Sequence, residues 1–86
     1  LLEFQSEYCL GCMAAKPIVD GIERDYAGRL KVIRISMQQA GAEALAARFG
    51  CRYTPTFIFL DPQGHQLWRT VGAIDPAEVG RSLEGP

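Results

Sequence analysis

No apolar run in these 86 residues approaches the ~20 that a helix needs to cross a bilayer. No charge of one sign dominates: nine basic and ten acidic side chains leave a net charge of −1. Neutralising phosphates takes a basic face, so this balance argues against nucleic acid as a partner. Cysteine is scarce. Three residues, an odd number, are too few for a disulfide-stapled scaffold. No repeat, linker or low-complexity stretch divides the chain, so residues 1–86 read as one domain. The chain also lacks an initiator methionine and opens at Leu1, as an excised domain or a processed product would. A signal peptide or membrane anchor ahead of Leu1 stays compatible with it, and the compartment stays open between cytoplasmic and extracytoplasmic. What is present is an ordinary globular composition, 48% hydrophobic and 22% charged. A chain this short buries a modest core and expects a small margin of stability.

Residues 1–5 read as a short strand and residues 9–26 as a helix, with Met13, Ile18, Val19, Ile22 and Tyr26 at roughly helical spacing. Pro17 falls inside that helix and should kink it. Gly28 follows it as a stop. Residues 30–35 are β-branched and read as a second strand. Residues 40–49 read as an alanine-rich helix closed by Gly50, and residues 57–60 as a third strand. Asp61-Pro62-Gln63-Gly64 is a turn signal that returns the chain into a fourth strand at 66–71. Asp75-Pro76-Ala77-Glu78 starts a last helix, with an N-cap, a proline at the first helical position and an acid three residues on. The order β-α-β-α-β-β-α predicts a right-handed parallel crossover followed by an antiparallel hairpin and a helix. A four-stranded mixed sheet with helices on both faces is the economical α/β solution.

Cys9-Leu10-Gly11-Cys12 is where chemistry concentrates. Two thiols at this spacing share the first turn of a helix and can close and open a small disulfide ring. Only the thiolate attacks, and a helix N-terminus stabilises it through unpaired N–H groups and the dipole. Cys9, at that end, should be the more exposed and the nucleophile; Cys12, a turn inside, should be more buried and resolve the mixed disulfide. The alternative is half of a zinc site, with Cys51 and His65 completing a Cys₃His set. A further alternative is an inert dithiol.

Beyond the cysteines, the chain resembles the thioredoxin superfamily along nearly its whole length. Leu2-Glu3-Phe4 and Glu7-Tyr8-Cys9-Leu10-Gly11-Cys12 resemble the active-site strand and loop, with Tyr8 where the family often has tryptophan. Lys16-Pro17 is similar to the segment of the kinking proline, Tyr53-Thr54-Pro55-Thr56 to the cis-proline loop, and Val71-Gly72 to the glycine that ends the hairpin. The family's Gly-Pro between the cysteines is replaced by Leu-Gly, which leaves the redox direction open. The family's first strand and helix are absent or lie before Leu1. The Leu60-Asp61-Pro62-Gln63-Gly64 hairpin resembles those of extracytoplasmic relatives.

The resemblance implies a thioredoxin-like protein-disulfide oxidoreductase that needs no bound cofactor or metal. By that resemblance it would act on disulfide-containing proteins and draw electrons from a reductase or a membrane electron carrier. It would work as a monomer. The competing class is a redox-inactive binding or chaperone module with the same fold. Glu3 matches the family's buried acid, a proton acceptor for the resolving cysteine, against a plainer reading as a carboxylate reaching solvent at the sheet margin. Arg34 is its candidate partner. Pro55 is expected in cis, turning the backbone of Thr54 toward the thiols for an extended substrate to pair with. Tyr8, Leu10, Gly11, Thr54, Pro55 and Gly72 form the expected substrate-binding set. Cys51 and Trp68 are expected to pack, and His65 to be a solvated turn residue.

Overall fold

A computed structural model describes residues 1–85. The elements run β1 (Leu2–Gln5), α1 (Leu10–Asp25), β2 (Ile33–Ser36), α2 (Ala42–Phe49), β3 (Thr56–Leu60), β4 (Gln66–Val71) and α3 (Pro76–Glu84). Most boundaries have a local cause. The Cys9 side chain caps α1 by accepting the Cys12 N–H at 3.1 Å. Asp75 caps α3 through the Ala77 N–H at 2.9 Å, with Pro76 in the first turn. Gly50 closes α2 at φ 69°, a left-handed conformation that glycine adopts without steric cost. Asp61 Oδ1 accepts the N–H groups of Gln63 and His65 and so fixes the hairpin turn.

Two boundaries differ from the sequence reading by more than one residue. The second strand begins at Ile33 rather than at 30, because the N–H groups of Arg29 and Leu30 both bond the Tyr26 carbonyl and extend the turn after α1. The second helix begins at Ala42 rather than at 40. There the Ala42 N–H bonds Gln39 in a turn and Gly41 is left-handed.

The sheet order is β2-β1-β3-β4. β1 pairs parallel with β2 and antiparallel with β3, and β3–β4 is the expected hairpin. Side chains alternate between the two faces. Leu1, Phe57 and Phe59 pack with Ala15, Val19 and Ile22 of α1 and Val79 of α3. Leu2, Phe4, Ile35 and Ile58 pack with Ala42 and Ala46 of α2 on the opposite face. Trp68 stacks on Phe59, with ring centroids 5.3 Å apart, and donates to Ser82 Oγ, so it packs rather than acts. This four-stranded mixed sheet with helices on both faces is the α/β architecture expected from the sequence. Among the described residues no helix is long and apolar enough to cross a membrane.

Candidate active site

β1 ends in a short loop that delivers Tyr8 and Cys9 to the start of α1. Gln38 Oε1 accepts the Glu7 N–H at 3.2 Å and so ties this loop to the β2–α2 connection. Tyr8 adopts φ 59°, which residues other than glycine rarely do, and the residue is 96% exposed. Such strain costs on the order of 1 kcal/mol and persists only where surrounding structure imposes it.

The Cys9 and Cys12 sulfurs lie within bonding reach, with Cα atoms 5.1 Å apart. Their environments differ. Cys9 is half-buried at the helix cap, whereas Cys12 faces inward and is 7% exposed. The Cys9 sulfur meets the Cys12 N–H at 3.1 Å, the Thr54 hydroxyl at 3.6 Å and the Thr54 carbonyl at 3.5 Å.

Thr54-Pro55 is cis, as the resemblance implied. The Pro55 carbonyl accepts the Gly72 N–H at 2.9 Å, which pins the loop to the end of β4. A Cβ on Gly11 would lie 3.0 Å from Pro55 Cδ, so a side chain as small as a methyl already crowds this approach. Thr54, Pro55, Gly11 and Gly72 are therefore gathered around the sulfurs. Leu10 is 81% exposed beside Cys9, and Met13 and Tyr53 are exposed too. Neither of the latter two belongs to the substrate-binding set expected from the sequence. The depression lined by Ser6, Tyr8, Cys12, Met13 and Lys16 is open and about 280 Å³.

Glu3 is 1% exposed, which rules out the solvent-reaching carboxylate. It alternates with Leu2 and Phe4, so it lies on the sheet face that α1 covers, in register with Phe57 and Arg34. Burial raises its carboxyl above the ordinary range, partly offset by the field of Arg34. Arg34 makes no ion pair with it. The guanidinium goes instead to Asp20 at 2.7 Å and Glu23 at 3.2 Å on α1. Glu3 Oε1 has no hydrogen-bond partner among the described residues.

Cys51 is half-buried against the α2-side core, and burial pushes its thiol up. His65 sits in the hairpin turn, 3.3 Å from Asp61. The fold does not bring Cys51 or His65 to the cysteine pair, and no group of three or more potential metal ligands forms among the described residues.

The comparisons with known proteins agree with this geometry. Thioredoxin 1 of Nostoc sp. is 27% identical over 84 residues, 98% of this chain and 76% of that protein. The thioredoxin of Pseudomonas aeruginosa is also 27% identical over 84 residues, covering 98% of this chain and 75% of its own length. Among solved structures, the germline-specific thioredoxin Deadhead of Drosophila melanogaster superposes with a TM-score of 0.78 at 25% identity, over 96% of this chain and 75% of that one. Thioredoxin-2 of a malaria parasite gives a TM-score of 0.84 at 20% identity, over 99% and 80%, and shows the shared fold. The family model for the thioredoxin-like domain matches residues 2–84. With that match, the chain belongs to the thioredoxin-like domain family, whose relatives here are thiol–disulfide oxidoreductases.

Proposed function

We propose that this protein reduces disulfide bonds in other proteins through Cys9 and Cys12. The observation that carries the reading is the asymmetry of the pair: a half-exposed sulfur capping a helix, and a buried sulfur one turn inside within bonding reach. Cys9 thiolate attacks one sulfur of the substrate disulfide. A Cys9–substrate bond forms, and the other substrate sulfur leaves as a thiolate and takes a proton from water. Cys12 then loses its proton and attacks Cys9 Sγ. The second substrate thiol leaves, and two electrons have passed from the protein dithiol to the substrate. Glu3 is the proposed acceptor of the Cys12 proton: it is buried on the sheet face covered by α1, the helix that carries Cys12, and burial raises its affinity for protons.

The open, apolar surroundings favour a macromolecular substrate over a small molecule held in a cleft. Tyr8 and Leu10, with Met13 and Tyr53, would receive apolar side chains. Thr54, Pro55, Gly11 and Gly72 would line an extended substrate segment beside Cys9. The protein would act as a monomer and regain electrons from a reductase or a membrane carrier.

Insulin reduction with dithiothreitol tests the proposal. The protein should accelerate precipitation, Cys9→Ser should return the rate to the uncatalysed one, and Cys12→Ser should trap a mixed disulfide through Cys9. No acceleration by the parent protein would place it instead among redox-inactive modules of the same fold. A trap that forms through another cysteine would reverse the assigned roles.

A further inference from the structure

The loop between β1 and Cys9 carries a hydroxyl that the proposed mechanism does not use. Ser6 is half-buried, and its Oγ lies 2.8 Å from Thr54 Oγ1, 48 residues away in sequence. Thr54 Oγ1 in turn lies 3.6 Å from Cys9 Sγ. Each hydroxyl has one proton to give. If Thr54 donates to Ser6, it has none for sulfur. If Ser6 donates to Thr54, the Thr54 proton is free to point at Cys9, and the two bonds polarise one another in the same direction.

We propose that Ser6 is a positioning residue for the Cys9 thiolate, its hydroxyl holding that of Thr54 as a donor to the sulfur. Thr54 then serves both states of Cys9. Its carbonyl, 3.5 Å away, can accept from the thiol, and its hydroxyl can donate to the thiolate. The thiolate is the better acceptor, since hydrogen bonds to charged groups are the stronger ones. Ser6 decides which way the balance falls by fixing where the Thr54 proton points. Without it the Thr54 hydroxyl is free to rotate away, and the Cys12 N–H at 3.1 Å is left as the donor fixed on the sulfur.

The elements that carry the site hold other titratable groups. These are Glu3 on β1, Glu7 and Tyr8 on the loop, Cys12 and Lys16 on α1, and Arg52 and Tyr53 before Pro55. Lys16 directs its ammonium to Asp20 at 2.9 Å. Apart from Cys12, which the test removes throughout, they are common to every variant compared below, so differences between variants report the hydroxyl chain.

The inference rests on Cys9 acting as a thiolate, but its test needs no turnover. In a Cys12→Ser/Cys51→Ser background only Cys9 titrates as a thiol, and the pH dependence of its alkylation by iodoacetamide gives its pKa. Ser6→Ala should raise that pKa by about half to one pH unit, or roughly three- to tenfold less thiolate at neutral pH. Thr54→Val should raise it at least as far, and adding Ser6→Ala to Thr54→Val should change nothing more. Ser6→Thr, which keeps the hydroxyl, should titrate like the parent, while its isostere Ser6→Val shifts with Ser6→Ala; this pair answers the question even if the alanine variant fails to fold. An unchanged pKa in the variants lacking the Ser6 hydroxyl, or an equal shift with and without the Thr54 hydroxyl, would overturn the proposal. Insulin reduction stands apart: a parent that shows the shift but no turnover refutes the proposed activity and leaves the role of Ser6 intact.

Discussion

Glu3 lies between Leu2 and Phe4, 1% exposed, with Oε1 unpartnered among the described residues. An unsatisfied buried polar group of this kind costs about 1–3 kcal/mol, more when charged. The cost depends on pH in a definite direction. Burial raises the folded-state pKa above the unfolded value, so the folded protein holds the proton more tightly. Stability is therefore fully present below the unfolded carboxylate pKa. It is lost as pH rises through the folded pKa and is level above it. Glu3→Gln removes the ionisation but keeps the shape. Its Tm should exceed that of the parent at neutral pH, by about 4–8 °C for each ~1 kcal/mol in a domain of this size. The gap should close toward acid pH, where both side chains are neutral. Thermal melts across pH check it, and a pH-independent gap would mean that Glu3 holds its proton no more tightly in the folded protein than in the unfolded chain. The same variant should slow release of the mixed disulfide if Glu3 takes the Cys12 proton. A destabilising residue kept for its chemistry is then the economical account of an acid in this strand.

At the scale of elements, α1 and α3 meet where Tyr26, one residue past the end of α1, lies over Gly80 of α3. A Cβ on Gly80 would lie 2.6 Å from the Tyr26 hydroxyl oxygen but 3.5 Å from the ring carbon that carries it. Two effects of opposite sign follow for Gly80→Ala. Alanine gains up to ~1 kcal/mol of helix propensity, and crowding costs about 1–3 kcal/mol. With Tyr26 intact the crowding wins, and urea denaturation should show a net loss of stability. In a Tyr26→Phe background the clashing atom is gone, and the same substitution should stabilise by up to ~1 kcal/mol. A loss of equal size in both backgrounds would show that Gly80 is required for another reason. The elements themselves were largely legible in the sequence, because their ends carry local chemistry. Asp75-Pro76, Asp61-Pro62-Gln63-Gly64 and Gly50 specify caps and turns without help from distant residues. The stretch from Leu30 to Val32 was not. Its composition favours a strand, but the Tyr26 carbonyl takes the Leu30 N–H, and the ladder starts only where the Ile33 N–H reaches Leu1. Leu30 and Val32 still pack against the core, which explains their apolar character without a strand.

Over the whole molecule, the site is assembled from the loop after β1, the first turn of α1, the Thr54-Pro55 loop and Gly72 beyond β4. The cysteine pair was legible because its partners are three residues apart. The Ser6–Thr54 contact was not, because 48 residues separate the two hydroxyls and nothing local to Ser6 marks it. Met13 reads as one more apolar helical position until the fold leaves it exposed beside Tyr8 and Leu10. A site of this construction should lose its distinctions between thiols when the fold is lost, and the three cysteines provide the readout. In the reduced protein Cys9 is half-buried at a helix cap and should be alkylated from the native state, at a rate indifferent to low urea. Cys51 is half-buried with its thiol pushed up by burial and should react more slowly. Cys12 is buried, and the Gly11 turn that precedes it rests against Pro55, which Gly72 pins in turn. Exposing it means separating α1 from two distant segments at once, so its reaction should await global unfolding. Mass-resolved alkylation in increasing urea should then give Cys12 a slope equal to the equilibrium m-value, on the order of 1 kcal/mol/M for a domain of this size. A shallow slope at Cys12 would mean that the first turn of α1 opens by itself. The contacts across Gly11 and Pro55 would then fall short of the cooperativity assigned to them here, and Cys12 would be reachable by partners other than Cys9.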